Sequence, residues 1–274
     1  MIKRFIKYFK RSEVLQNASV LVSGTIVAQA IPILLQPFLR RYFDPEQFGT
    51  YSVYNGIIGI LMVVACLRYE QAIVLPKRDG DASVLVWVSI IFGIFFSLTL
   101  FLVILFFRSE LIKFLNLSSG KGFILYLVPL GTFLLSAFQV FNYWLIRKKG
   151  FGDIAINKFT RRVFEGGAQS FFAFTHYQKG LVIGDVIGQI ANATVSAWQS
   201  FQRGLTLKNI SLSRVRHLLV RYSDFPKYSL VPSLLSAACF MLPVIFINKY
   251  YTAQQAGYFD LTKLILSVPL ALVA

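Results

Sequence analysis

Acidic side chains are scarce in this chain, and so is charge altogether. The 274 residues carry 12 Asp and Glu against 28 Lys and Arg, a formal net charge of +16, and only 15% are charged. A soluble domain carries about 25%. That shortfall excludes a disordered chain and an ordinary cytosolic enzyme. Cysteine and histidine number two each. Cys66 and Cys239 both lie in apolar runs, so a disulfide framework is excluded and both read as small apolar residues. Without clustered Cys, His, Asp and Glu there is no metal site to expect, and the sequence implies no cofactor.

Hydrocarbon fills the chain instead. Hydrophobic residues make up 56%, with 27 Phe and 13 Tyr, and mean hydropathy is +0.62. The fold class that follows is an all-α polytopic membrane protein. A bilayer core of roughly 30 Å takes about 20 apolar residues per helix. Eight runs predict about eight transmembrane helices: 17–38, 51–66, 84–107, 123–146, 164–177, 181–201, 228–247 and 258–274. Run 164–177 is short and holds Glu165, Gly166, Gly167 and Gln169; run 181–201 carries Asp185, Gln189, Asn192 and Gln199. A bundle interior tolerates such residues where a lipid face does not.

Cytoplasmic loops of membrane proteins carry an excess of Lys and Arg. With the N-terminus in the cytoplasm, the inner segments 1–16, 67–83, 147–163 and 202–227 hold 20 of the 28, leaving 8 elsewhere. This bias accounts for much of the net charge without a nucleic-acid partner. In segment 1–16, Ile2, Phe5, Ile6 and Phe9 recur at helical spacing among Lys3, Arg4, Lys7 and Lys10. That pattern predicts a short helix lying on anionic membrane lipids. Ala28-Gln29-Ala30 mimics a signal-peptide cleavage site, but the apolar run continues past it and seven more follow.

A weak internal repeat carries more information. Shifted by 208 residues, Arg41-Tyr42-Phe43 falls on Lys249-Tyr250-Tyr251, Gln47-Phe48-Gly49 on Gln255-Ala256-Gly257, and Tyr51 on Phe259. Six spans separate the copies, so they are parallel repeats related by an axis along the membrane normal. The organisation that follows has four parts: a basic interfacial segment 1–16, a six-helix lobe 17–201, a basic linker 202–227, and the first two helices of a repeated lobe at 228–274. The last run, 267–274, has no polar flank, and the six-span unit predicts about four more spans beyond Ala274.

Three groups of residues carry a resemblance. They are Phe48-Gly49-Thr50-Tyr51, the stretch from Arg68-Tyr69-Glu70-Gln71 to Leu75-Pro76, and Asp224-Phe225-Pro226-Lys227-Tyr228-Ser229-Leu230. With Ala256-Gly257-Tyr258-Phe259 and Val268-Pro269-Leu270, they resemble the Wzx-like lipid-linked oligosaccharide flippases. Those belong to the multidrug/oligosaccharidyl-lipid/polysaccharide exporter superfamily. The resemblance covers the whole chain but about two-thirds of a family member. It implies two pseudo-symmetric lobes around a central cavity in the bacterial inner membrane. It also implies translocation of an undecaprenyl-diphosphate-linked oligosaccharide for O-antigen, capsule or exopolysaccharide assembly, with a polysaccharide polymerase and chain-length proteins as further partners.

Such a substrate needs cations for its phosphates and amides for its sugars. Arg68, at the inner end of the second run, is the first cation candidate; its other reading is an interfacial anchor paired with Glu70. Arg40 and Arg41, at the outer end of the first run, receive the headgroup or snorkel to the interface. Lys263 lies three residues after Asp260, which places the pair on one helix face. Glu165 and Gln169 form one polar stripe, and Asp185, Gln189 and Asn192 form another. The stripes read as an ion relay, as sugar contacts, or as interhelical hydrogen bonds with Glu165 neutralised by Arg161 or Arg162. Gly184 and Gly188 form a small-xxx-small pair for close helix approach. Gln29 shares one side of the first run with Thr25 and Gln36, around Pro32, which permits bending. Gln139 and Asn142 line the inner mouth of the fourth run. Two rival functions stand. A multidrug or cation-coupled exporter wants acidic cavity residues. A membrane polymerase or acyltransferase wants a large loop or a clustered acid and base, and the longest loop, 202–227, has a lone His217.

Overall fold

The computed structural model describes residues 13–117, 122–207 and 210–273, with side chains from Ile26 to Leu266 inside those ranges. Residues 1–12 of the basic N-terminal segment, the side chain of Thr25 and the last side chains from Ser267 lie outside them. Every element is helical: α1 (Glu13–Tyr42), α2 (Pro45–Ala65), a single turn α3 (Tyr69–Ala72), α4 (Asp79–Phe106), a short α5 (Arg108–Phe114), α6 (Phe123–Arg147), α7 (Phe151–Phe174), α8 (Gly180–Gln202), α9 (Leu212–Arg221), α10 (Leu230–Tyr250) and α11 (Ala253–Val273).

The helix ends follow from local chemistry. α2 opens on Pro45, whose missing N–H is unneeded at a first turn, and Gln47 Oε1 accepts from the Asp44 N–H at 2.9 Å. After α6, α7 and α8 the chain turns through left-handed residues: Lys149 (φ 54°), His176 (φ 52°) and Gly204 (φ 81°). A π-helical turn, Phe225–Ser229, leads into α10. Its Pro226 cannot donate an i→i−4 bond, and the turn widens there.

Each apolar run of the sequence lies within or across one long helix, and among the described residues five helices are long and apolar enough to cross a membrane: α2, α4, α6, α8 and α10 with its leading turn. The count of eight spans is therefore not reached by this measure. The inner segment 147–163 is also corrected. It is not a loop, because α7 begins at Phe151. Asp153 favours the helix N-terminus, and Ile154, Ala155 and Asn157 are buried against neighbours. Lys158, Arg161 and Arg162 thereby leave the loop and enter the bundle. Apolar packing centres on α2, α6, α8 and α10 through Tyr54, Ile58, Val128, Val186 and Val244. A second cluster ties α4 and α6 to Leu205 and Leu218 of segment 202–227.

The repeat has a geometric counterpart. Under the same shift of 208, the end of α1 (Tyr42) falls on the end of α10 (Tyr250), and α2 falls on α11 residue for residue. The two repeat glycines also meet. A Cβ on Gly49 would lie 1.7 Å from the Ala253 carbonyl oxygen, and one on Gly257 would lie 2.1 Å from the Pro45 carbonyl oxygen. Position 49 shifts to 257 and 45 to 253, so the contact is reciprocal, as two-fold related surfaces require. Glycine is what lets the α2 and α11 backbones touch. Gly49→Val and Gly257→Val are expected to lower the melting temperature of the purified protein by similar amounts, each costing about 1–3 kcal/mol or more of overpacking. Gly167→Ala, with no atom within 4 Å of the added carbon, is expected to be neutral or slightly stabilising.

Candidate functional site

The site is built on α7 and α8, the most extensively packed helix pair. Gly184 and Gly188 make that approach possible. A Cβ on Gly184 would meet Gln169 Cγ at 2.5 Å, and one on Gly188 would meet Glu165 Cβ at 2.7 Å. The two polar stripes of the sequence thus face each other. Asp185, Gln189 and Asn192 are each at most 1% exposed, and Glu165 and Gln169 are 5% exposed.

Two guanidiniums hold this buried acid. Arg161 Nη2 donates to Asp185 Oδ1 at 3.2 Å, and its Nε lies 3.9 Å from Glu165 Oε2. Arg162 Nη1 donates to Glu165 Oε2 at 2.9 Å. The Tyr51 hydroxyl donates to Glu165 Oε1 at 2.9 Å, and Gln189 Nε2 donates to Asp185 Oδ2. Gln169 Nε2 donates to the Leu181 carbonyl at 3.0 Å.

Two cavities flank the arginines. One, of about 260 Å³, is lined by the second half of α1 with Tyr51, Asn55, Glu165, Gln169 and Asp260. The other, of about 310 Å³, is lined by Gln29, Gln139, Asn142, Lys158 and Asn192. This second cavity lies toward the edge of the bundle that carries the basic loops, and its charged lining is wholly cationic among the described residues. Arg161 and Arg162 line both cavities. Asn142 Oδ1 and Asn192 Oδ1 are buried with no hydrogen-bond partner among the described residues. Buried acceptors are rarely left so. The arrangement offers cations for an anion and free acceptors for hydroxyl groups.

A family model described as polysaccharide biosynthesis protein matches residues 14–274. The chain belongs to the polysaccharide biosynthesis protein family. No curated protein and no solved structure matches it. This family member is a multi-pass membrane protein, and at family level it is a polysaccharide-related exporter or flippase.

Within it, Gln29, Gln139, Asn142 and Asn192 come together in the second cavity, and Glu165 lines the first. Asp185 and Gln189 stand behind the arginine wall. Other sequence candidates lie apart. Arg68, in a left-handed turn (φ 64°), donates from Nη2 to Ser233 Oγ at 2.9 Å and faces Glu70 Oε1 at 3.4 Å. It ties α3 to α10 and lines neither cavity. Arg40 donates to Gln36 Oε1 at 3.0 Å and lies 4.2 Å from the Phe48 ring centroid, which places it at the rim of the first cavity. Arg41 is exposed. Lys263 donates to the Phe240 carbonyl at 3.0 Å, while Asp260 turns to the first cavity. The sequence reading missed Lys158, Arg161 and Arg162 as lining residues by placing them in a loop. The signal was present: the stripe at Glu165 and Gln169 extends back through 161 and 162 to 158 at the same spacing of three to four.

The Arg68–Glu70 pair makes a pH-dependent contribution to stability. Burial pushes the Glu70 carboxyl above its ordinary range, against the pull of its own backbone and of Arg68. The folded chain therefore binds this proton more tightly than the unfolded chain does. Its contribution falls as pH rises from the ordinary carboxylate value, about 4.3, toward the raised one. In melting curves recorded between about pH 4 and pH 7, Glu70→Gln is expected to flatten this slope; an unchanged slope would mean that Glu70 titrates normally.

Proposed function

We propose that this family member flips an undecaprenyl-diphosphate-linked oligosaccharide across the bacterial inner membrane, with its N-terminus in the cytoplasm, for O-antigen, capsule or exopolysaccharide assembly. The observation that carries the reading is one pair of arginines, Arg161 and Arg162, lining two separate cavities. A diphosphate entering from the basic edge meets Lys158, Arg161 and Arg162, while Gln29, Gln139, Asn142 and Asn192 offer amides to the sugars. Guanidinium suits phosphate because it donates two parallel hydrogen bonds. Passage to the other cavity then needs no new cation, because the same two guanidiniums face it.

The movement that exchanges access is a rocking of lobe 17–201 against the repeated lobe that begins at 228, about the linker 202–227. Arg68 and Glu70 serve this motion as a tie between α3 and α10, and Pro32, which permits bending of α1, lines the first cavity. A polysaccharide polymerase and chain-length proteins would take the product on the outer side. A cation-coupled multidrug exporter fits less well, because a cationic drug would be repelled by the lysine and two arginines of the basic-edge cavity.

The test uses the full chain in liposomes with a fluorescent lipid-diphosphate oligosaccharide. A hydrogen bond to a charged group contributes about 1.5–3 kcal/mol, so Arg162→Gln is expected to slow flipping roughly 10-fold to 150-fold. Gln139→Ala and Asn142→Ala are expected to slow it about two- to tenfold. Wild-type rates in Arg162→Gln, with the protein folded by size exclusion, would overturn the reading.

A further inference from the structure

The two carboxylates at the arginine wall are buried more deeply than the arginines they hold: Asp185 lines neither cavity, and Glu165 borders the first. The side chains of Asp185 and Glu165 are 1% and 6% exposed, against 23% and 33% for Arg161 and Arg162. Each acid also divides its oxygens. Glu165 gives Oε2 to the arginines and Oε1 to the Tyr51 hydroxyl. Asp185 gives Oδ1 to Arg161 and Oδ2 to Gln189. A guanidinium that turns away toward an anion therefore leaves no orphaned carboxylate, because a neutral donor stays on the other oxygen. Stripping the only partner from a buried charge costs several kcal/mol. Here that cost is reduced in advance. Arg161 Nε, moreover, lies 3.9 Å from Glu165 Oε2 and makes no hydrogen bond among the described residues, so its hold on that acid is loose.

We infer that Asp185 and Glu165 are built-in competitors for the substrate's diphosphate, holding the two arginines loosely enough that the anion is captured by exchange and released again. The inference rests on the proposed function and adds what sets affinity. Capture trades one ion pair for another, so net binding is weaker than two free arginines would give. A translocation site must bind well enough to load and poorly enough to unload. The acids supply the second half of that requirement.

Inorganic pyrophosphate is the probe, titrated calorimetrically into the purified full chain. Glu165→Gln and Asp185→Asn are expected to bind it roughly tenfold more tightly, the loss of one competing charged hydrogen bond. Their flipping in liposomes is expected to slow several-fold as release becomes limiting. Tyr51→Phe removes the neutral donor that relieves Glu165, so it is expected to bind pyrophosphate more weakly. Asp153→Asn, which loses the same charge at the basic edge beside Arg203, controls for net charge and is expected to stay within about twofold. If wild type does not bind pyrophosphate, or binds it independently of Arg162, the proposed cavity reading falls and this inference with it. If Arg162→Gln weakens binding but both acid variants bind no better than wild type, the competitor role alone is overturned. Should either acid variant fail to fold, the other and Tyr51→Phe decide.

Discussion

Two arginines inside an apolar bundle impose the constraint on which the rest of this structure depends. A charge in hydrocarbon must be paired or hydrated, and a pair that is too good becomes inert. The bundle meets both demands by geometry. Two glycines on α8 bring its backbone onto α7, so Asp185 of α8 reaches Arg161 of α7, while Glu165 pairs with both arginines along its own helix. Tyr51 and Gln189 then complete the carboxylates on their other oxygens. Remove the glycines, and Asp185 no longer reaches Arg161. The polar stripes, the close helix pair and the two cavities are one arrangement seen from three directions.

The same economy governs the basic edge, where acids are few. Asp79 receives Arg147 at 2.9 Å and also Lys148, which joins the start of α4 to the end of α6. Asp81 accepts from Arg214 of α9 at 2.7 Å, and Asp153 accepts from Arg203. Arg147 further donates to the Pro76 carbonyl at 2.6 Å. Each of these acids ties two separate elements together. Arg216, Arg221 and Lys227 are basic residues of segment 202–227 beyond those ties, at an edge suited to an anionic lipid surface.

Much of this was legible beforehand, and the failures have physical causes. Alternation of apolar runs with short polar breaks located the long helices, because hydrocarbon forces backbone bonds to close within a helix. The stripes at 165/169 and 185/189/192 were legible because helical spacing puts them on one face. Length and hydropathy bear out five of the expected spans among the described residues; a helix as charged as α7 falls outside that measure. Lys158, Arg161 and Arg162 were misplaced for a related reason. Positive charge ordinarily marks a loop, and only the partner acids, Glu165 on the same helix and Asp185 on the next, permit it in the interior. Arg68 and Lys263 read as cavity cations because sequence gives depth along a helix, whereas the nearest carbonyl or hydroxyl depends on tertiary packing. Ser233 and the Phe240 carbonyl are the partners that decided those two.

The reciprocal glycine contact between α2 and α11 also constrains how such a chain can change over generations. A helix turns about 100° per residue. One residue inserted between Pro45 and Gly49 would swing that glycine a quarter-turn off the partner backbone and drive a side chain into it. A matching insertion between 253 and 257 would not repair the damage, since it would rotate the second glycine off the crossing as well. These two five-residue stretches, 45–49 and 253–257, are therefore closed to length variation, singly or in step. The connecting segments between helices, which answer to no such crossing, remain open to it.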